Sequence, residues 1–353
     1  MSESMDVAGD GIATFGPGLR RTVGRAVRDL GGTRALVLST PHQSDMAQDT
    51  AADLGDLAAG VFDQAAMHTP VDVTLRALDH LRAVKADCLV AVGGGSTIGL
   101  GKALAYRTDL PQVAIPTTYA GSEATPILGQ TEDGQKITLT DPKVAPDIVL
   151  YDPELVVGLP ATMTVTSALN AMAHAAEALY AANRTDDSDA QARAGLDAFV
   201  HGLPKVLNDP TDLAAREATQ KGAWSCGRVL GRVGMALHHK LCHTLGGSFG
   251  LPHAETHAIV LPHAIAYNAR SAAAELKPIT DMLGGPDPGT ALHRFADRMG
   301  APRALRDIGL GQGDLPRAAK LASEQPYPNP HPVTEGDLFA LLRAAWAGHA
   351  PVF

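Results

Sequence analysis

The segment Cys88-Leu-Val-Ala-Val92, a short β-branched apolar run, passes without a spacer into Gly93-Gly94-Gly95 and then into the helical stretch Leu100-Gly-Lys-Ala-Leu-Ala105. A strand that turns on glycines into a helix is a building unit of parallel sheets, because parallel neighbours need a long, usually helical, crossover. Similar runs stand on either side. Arg34–Ser39 follows the Gly31-Gly32 stop of a helix that begins near Leu19, while Gln112–Pro116 and Asp147–Tyr151 are separated by a Gly- and Thr-rich loop. Residues 1–159 are therefore expected to form an α/β, Rossmann-like dinucleotide-binding domain. After Leu159-Pro160 the texture changes to Ala- and Leu-rich stretches with helical spacing, broken at Pro204, Pro210, Gly246-Gly247, Pro252 and Pro262. Residues 160–353 are expected to form an all-helical domain. With 353 residues, two lobes and a cleft are expected. Gln325–Pro332, with a proline at every second position, reads as a linker before a last helix from about Thr334.

A formal charge of −9 argues against nucleic acid or an anionic membrane as the main partner, since both require a basic face. Any anionic ligand must be met by locally focused donors. Cys88, Cys226 and Cys242 are odd in number and widely spaced, the pattern of reduced thiols in a cytoplasmic protein rather than of a disulfide framework. The first ten residues carry three acids and no basic or apolar run, so neither a signal nor a transit peptide is expected there. No segment has the length of continuous apolar residues that a membrane span needs.

At the glycine turn, bare backbone N–H groups at a helix start favour an anion such as a pyrophosphate, and Ser96 or Thr97 would add a hydroxyl. The match to G-x-G-x-x-G is loose and no P-loop Lys-Ser/Thr pair follows, so a plain strand-to-helix turn stays open as an alternative. Thr117-Thr118-Tyr119-Ala-Gly-Ser122-Glu123 follows the next strand and would line the same sheet edge, either contacting a ribose or nicotinamide or serving as an ordinary capped loop. Ser39 closes the first strand with no acid to hold a ribose hydroxyl, which leaves NADH and NADPH both open as cofactors.

Six of the fourteen histidines lie between His238 and His263, too dense for surface decoration. His239 and His243 share a helical face, and His253 follows beyond the Gly246-Gly247 break. Asn170 and His174 repeat the four-residue spacing upstream, so Asn170, His174, His239 and His253 are expected to converge. Three imidazoles and an oxygen resemble a divalent metal site, but Asn170 supplies a neutral amide where a carboxylate would help neutralise the cation. A polar substrate pocket is the preferred reading, a metal site the other, and buried hydrogen-bonded histidines the third.

Taken together, Gly93–Ser96, Pro116–Glu123 and His239-x3-His243-x9-His253 resemble the iron-containing alcohol dehydrogenase family, along nearly the whole chain from Phe15-Gly-Pro-Gly18 to the Pro-rich tail. The resemblance implies a dehydroquinate synthase-like architecture, with an N-terminal dinucleotide domain, a C-terminal helical domain, a cleft between them and a homodimer. Metal-dependent members carry Asp-x3-His and an Asp in the helix after the glycine turn. This chain has Asn170-x3-His174 and Gly99-Leu-Gly101-Lys102. Both departures, with Tyr327-Pro-Asn-Pro330, resemble the branch that reduces the carbon–carbon double bond of maleylacetate in aromatic-compound breakdown, for which no metal is needed. The resemblance makes His239 and His253 donors to the developing oxyanion and His243 the proton relay beside the nicotinamide, in roles that permute. It leaves His174, His239 and His253 as vestigial metal ligands, and Tyr119, Asn170, His174 and Tyr327 (with Lys136, more simply a solvated surface residue) as contacts to a small dicarboxylate. The alternatives are an iron- or zinc-dependent alcohol dehydrogenase of the same family, a lyase of the same architecture, and a silent nucleotide-binding protein.

Overall fold

The computed structural model describes residues 4–8, 11–132, 134–324 and 327–353. They form two compact units, Met1–Leu159 with Pro210–Trp224, and Pro160–Asp209 with Ser225–Phe353.

The first unit is built on one sheet of β1 (Ser4–Ala8), β2 (Gly11–Phe15), β3 (Ala35–Leu38), β4 (Ala58–Phe62), β5 (Cys88–Gly93), β6 (Gln112–Pro116) and β9 (Ile148–Tyr151), in the order β1-β2-β9-β6-β5-β3-β4. β1 pairs antiparallel with β2. The other six strands run parallel. β3, β5, β6 and β9 are buried along their whole length, as strands covered on both faces must be. Alternate residues divide between two cores. Leu36, Leu38, Leu89 and Ala91 join α3 (Val71–Ala83) and α4 (Gly95–Thr108), whereas Ala35, Val37, Cys88 and Val90 join α1 (Val23–Asp29) and α2 (Ser44–Leu54).

From β3 the chain steps outward to β4, then returns to β5 and proceeds through β6 toward β9. The strand order reverses between β3 and β5, and the carboxyl ends of strands at such a reversal are where open α/β sheets take their ligands. Ser39-Thr40 and Gly93-Gly94-Gly95 stand at those two ends. The loop expected between β6 and β9 instead carries an antiparallel hairpin, β7 (Ile127–Glu132) and β8 (Gln135–Thr140). Its alternation is masked by a glycine and by polar residues on both faces, so periodicity alone does not reveal it.

The second unit is helical, with α5 (Ala161–Ala178), α6 (Asp186–Asn208), α8 (Leu237–Phe249), α9 (His253–Leu283), α10 (Pro288–Arg298), α11 (Leu315–Ser323) and α12 (Glu335–Ala347). α7 (Leu213–Leu230) begins within the first unit. There Arg216, fully buried, donates to the Pro210 and Val157 carbonyls and to the Tyr119 hydroxyl. Of the expected breaks, Pro210 and Pro252 do fall between helices. Pro204 and Pro262 lie inside α6 and α9, and Gly246-Gly247 lies inside α8. α8 stops instead at Gly250, whose φ of 68° is the left-handed C-cap conformation that glycine adopts without a steric penalty.

The Pro-rich tail is packed rather than a spacer, although Gln325 and Pro326 lie outside the described residues. The Tyr267 hydroxyl donates to the Pro332 carbonyl, and the Asn329 and Asn268 amides bond each other reciprocally at 2.7 and 2.9 Å. The three cysteines are buried and form no disulfide, and no described helix is long and apolar enough to cross a membrane.

Candidate active site: a glycine turn and a histidine nest

In the first unit, β5 and β6 lie side by side with Gly93 opposite Pro116, and the Thr117 N–H donates to the Gly93 carbonyl at 3.1 Å. This pairing draws Thr117 and Thr118 onto the glycine turn. A Cβ on Gly93 would meet the Thr97 Cβ at 2.7 Å, and one on Gly94 would meet the Thr118 methyl at 2.8 Å, so both glycines are required by packing within the protein. Gly95 is different. It is exposed, a Cβ there would meet nothing within 4 Å, and it opens α4, where the first N–H groups have no intrahelical partner. Ser96, half-buried, follows it. Thr97 is fully buried, with a hydroxyl that has no hydrogen-bond partner among the described residues.

Gln43, which sequence reasoning missed, donates its amide to the Thr117 hydroxyl at 2.8 Å and so ties the loop after β3 to the loop after β6. Ser39 stands at the end of β3 as expected, but it is fully buried and its hydroxyl donates to the Thr40 carbonyl. Tyr119 is also fully buried, and its hydroxyl accepts from Arg216 at 3.1 Å; it is committed to the interior of the unit rather than turned toward a ligand. The Ser122 carbonyl accepts from Lys102, whose ammonium also donates to the Thr125 carbonyl and hydroxyl and to the Ile127 carbonyl. Burial holds the Lys102 pKa down to about 7. Burial also raises the Glu123 carboxyl, which accepts from the Tyr151 hydroxyl at 2.6 Å. Gly99, where metal-dependent relatives are expected to carry an acid, leaves no room for a side chain, because the Thr69 side chain packs against its Cα. The side chain of Lys136 lies outside the described part of β8.

In the second unit the histidines gather. α5 is Ala-rich and buried on nearly every side, the condition under which a helix can be apolar all round. Asn170, His174 and Glu177, spaced four and three apart, form the polar stripe on it. Glu177 lies at the start of α8. Its carboxylate accepts the backbone N–H groups of Ala236 (2.9 Å) and His238 (2.8 Å), the Tyr180 hydroxyl (3.0 Å) and the His239 Nδ1–H (2.6 Å). The N-cap of α8 is Ala236, with no side chain able to cap, so an anion delivered from α5 fills that role. Burial alone would raise the Glu177 carboxyl, but the His239 ring and the backbone donors hold it down to about 2. The bond at Nδ1 fixes the His239 ring and leaves its Nε2 buried without a partner among the described residues.

His174 and His239 have ring centroids 5.2 Å apart, and His243 extends the row 6.2 Å beyond His239. His253, the first residue of α9, lies 4.3 Å from His257, and His257 lies 5.3 Å from His239. The expected convergence therefore holds for His174 and His239, while His253 joins through His257, which sequence reasoning had not singled out. His238 packs behind, its Nε2 2.9 Å from His257 Nδ1 and 3.6 Å from the Cys242 sulfur. Burial, then the neighbouring rings, push the His174 and His257 pKa values well below the ordinary imidazole range, and burial takes His238 to about 3. These rings are neutral at neutral pH, whereas His243 and His253 lie exposed at the rim. His263 lies apart, 6.5 Å from His293.

Tyr327 is half-buried beneath Lys240, whose ammonium lies 5.8 Å from the ring centre. Asn329, two residues on, accepts the Leu237 N–H and is joined through Asn268 and Tyr180 to Glu177. Nothing in the spacing of Tyr180, Asn268 and Asn329 marks this chain of contacts, and sequence reasoning missed Glu177 as well, whose one signal is its place three residues after His174 on the same helical face.

For a divalent cation the set Asn170, His174, His239 and His253 is poorly matched. None of the four side chains is an anionic ligand, and the nearby carboxylate of Glu177 is spent on His239 and the start of α8. Among the described residues, the three donor atoms that come within 4.8 Å of one another belong to His238, Cys242 and His257, a different set from the one expected.

The iron-containing alcohol dehydrogenase family model matches residues 12–153, and the C-terminal model of the same family matches residues 164–346. The chain is 56% identical to a maleylacetate reductase from Rhizobium sp. and 49% identical to one from Sphingobium indicum, in each case over 96% of both chains. The crystal structure of maleylacetate reductase from Agrobacterium tumefaciens superposes with a TM-score of 0.94 at 52% identity, covering 99% of this chain and 100% of that one. A doubly wound sheet with a glycine turn at its reversal and a histidine nest on helices are thus features of an oxidoreductase, and the chain belongs to the iron-containing alcohol dehydrogenase family.

Proposed function

We propose that this protein is a maleylacetate reductase, transferring hydride from NADH or NADPH to the conjugated carbon–carbon double bond of maleylacetate to give 3-oxoadipate, in the bacterial breakdown of aromatic compounds. The observation that carries this reading is the nest of Asn170, His174, His239 and His253, which brings no anionic ligand of its own, the nearby carboxylate of Glu177 being held by His239 and the start of α8. Near-full-length identity to curated reductases of that name supports it.

The dinucleotide pyrophosphate is assigned to the N–H groups that open α4 at Gly95 and Ser96, with Gly93, Gly94 and Thr97 shaping the turn and Thr117, Thr118 and Ser122 on the adjoining loop. Hydride adds to one alkene carbon of the substrate, the π electrons move onto the ketone oxygen, and a proton then completes the other carbon. His253 at the rim, and His239 in the doubly protonated form that gives Nδ1–H to Glu177 and presents Nε2–H outward, direct N–H groups to that oxygen, where each preorganised donor lowers the barrier. His243, exposed and next to His239, relays the proton. Asn170, His174 and Tyr327 border the small dicarboxylate. The reaction requires no metal, and the cytoplasmic, homodimeric enzyme expected from the sequence accompanies this reading.

The test is oxidation of NADH with fresh maleylacetate after treatment with EDTA, beside alcohol oxidation with added iron or zinc. Turnover that survives EDTA is the expected result. Inert maleylacetate together with metal-dependent alcohol oxidation would replace this reading by the family's dehydrogenase activity.

A further inference from the structure

His257 is a buried imidazole to which the reaction as described gives no part. It lies four residues after His253 on α9, so the two rings share one face of that helix. It is also the ring about which the others are arranged, with centroid distances of 4.3 Å to His253, 4.8 Å to His238, 5.3 Å to His239 and 6.5 Å to His174.

Its two nitrogens have different fates. Nδ1 is engaged by His238 Nε2 at 2.9 Å, and the Cys242 sulfur lies 3.6 Å from that same His238 nitrogen. Nε2 is buried and meets no hydrogen-bond partner among the described residues. A neutral imidazole carries one N–H and one lone pair, so the bond at Nδ1 decides what the other nitrogen presents. When His238 Nε2–H donates to Nδ1, the His257 proton is placed on Nε2. Several buried rings keep one nitrogen without a partner among the described residues, His238 Nδ1 included, but among those rings His257 is the one that lies against both His239 and His253.

We propose that His257 is a further substrate-contacting donor, whose Nε2–H hydrogen-bonds the oxygen on which negative charge develops, with His238 acting as the positioning residue that sets its tautomer. This rests on the assignment of His239 and His253 to that same oxygen. It adds to them a third imidazole touching both and shielded from water.

Two substitutions separate contact from packing, because a glutamine amide nitrogen takes the place of Nε2 as donor and an asparagine amide oxygen takes the place of Nδ1 as acceptor. His257→Asn keeps the bond to His238 and removes the donor to substrate; its kcat with maleylacetate is expected to fall by about 100-fold, the loss typical of removing one oxyanion donor, with the Kd for NADH unchanged. His257→Gln loses the bond to His238 but keeps the donor, and is expected to retain a third or more of the wild-type kcat. An Asn variant within threefold of wild type overturns the proposal, as does a rise in KM alone. A Gln variant impaired 100-fold overturns it as well, even if the Asn variant does not fold. Failure of the functional reading is distinguishable, because the unsubstituted enzyme would then not turn over maleylacetate at all.

Discussion

Two buried polar clusters, one in each unit, follow opposite rules. Around Lys102 every donor is answered. The ammonium reaches three carbonyls and a hydroxyl, and Glu123 receives the Tyr151 hydroxyl. Around His239 Glu177 accepts from backbone, tyrosine and imidazole, yet His174, His238, His239 and His257 each keep a ring nitrogen without a partner among the described residues. A satisfied cluster stabilises its own unit. An unsatisfied one is what the proposed function assigns to a ligand.

The largest effect that would break this contrast is expected at Glu177. Glu177→Gln removes the charge at the start of α8 and the acceptor of the His239 Nδ1–H; stability measured by urea unfolding should drop by about 3 kcal/mol, as for other broken buried pairs. Its kcat should fall by roughly 100-fold or more, because His239 loses its orientation. A variant that unfolds earlier yet keeps full kcat would make Glu177 a capping group and nothing more.

Lys102→Met should cost about 2 kcal/mol by stranding the acceptors of Ser122, Thr125 and Ile127, while kcat of the folded enzyme stays within threefold. A collapse of kcat without loss of stability would erase the distinction between the two clusters.

The clusters should also answer pH in different windows. His174, His238 and His257 titrate lower folded than unfolded, so between the unfolded value near 6.5 and the folded value of about 3 for His238 the unfolded chain binds more protons. Stability should therefore fall as pH drops below about 6.5, by up to roughly 2 kcal/mol per ring at pH 5, and Glu177 adds its own loss only below its ordinary value of 4.5. For Lys102, folded near 7 and unfolded at 10.5, the unfolded chain again binds more protons between the two values, so this contribution to stability rises with pH across that alkaline window. Denaturant midpoints across pH 4 to 10 for wild type and Lys102→Met check both arms, the alkaline rise vanishing in the variant.

The smallest effect sharpens the glycine turn. Gly95→Ala should leave stability within about 0.5 kcal/mol, since the new methyl meets nothing, yet weaken NADH binding, read by fluorescence titration, by about tenfold if the dinucleotide passes over that residue. Gly94→Ala should destabilise through Thr118 instead.

Much of this was legible beforehand. β5, β6 and the turn after them can be read from continuous apolar runs because strands covered on both faces carry few polar residues. His239 and His243 were marked by helical spacing, which is local. The hairpin β7–β8, the depth of His257 and the insertion of Asn329 were not legible, since each depends on packing between residues far apart in sequence. Glycine and proline misled for a related reason: at Gly246-Gly247, Pro204 and Pro262 burial in a helical unit outweighs local propensity, and the helices continue.

Arg216 has a consequence for how the protein is made. The first unit takes Arg216, Gln220 and Trp224 from α7, where they close on Tyr119, Val157, Asp152 and Tyr151. A ribosome that has released the first 159 residues has therefore released the whole sheet but not its finished core. The nascent first unit must wait about 65 residues more, several seconds at ordinary elongation rates, with part of its apolar surface uncovered, a stage at which chaperones would find it.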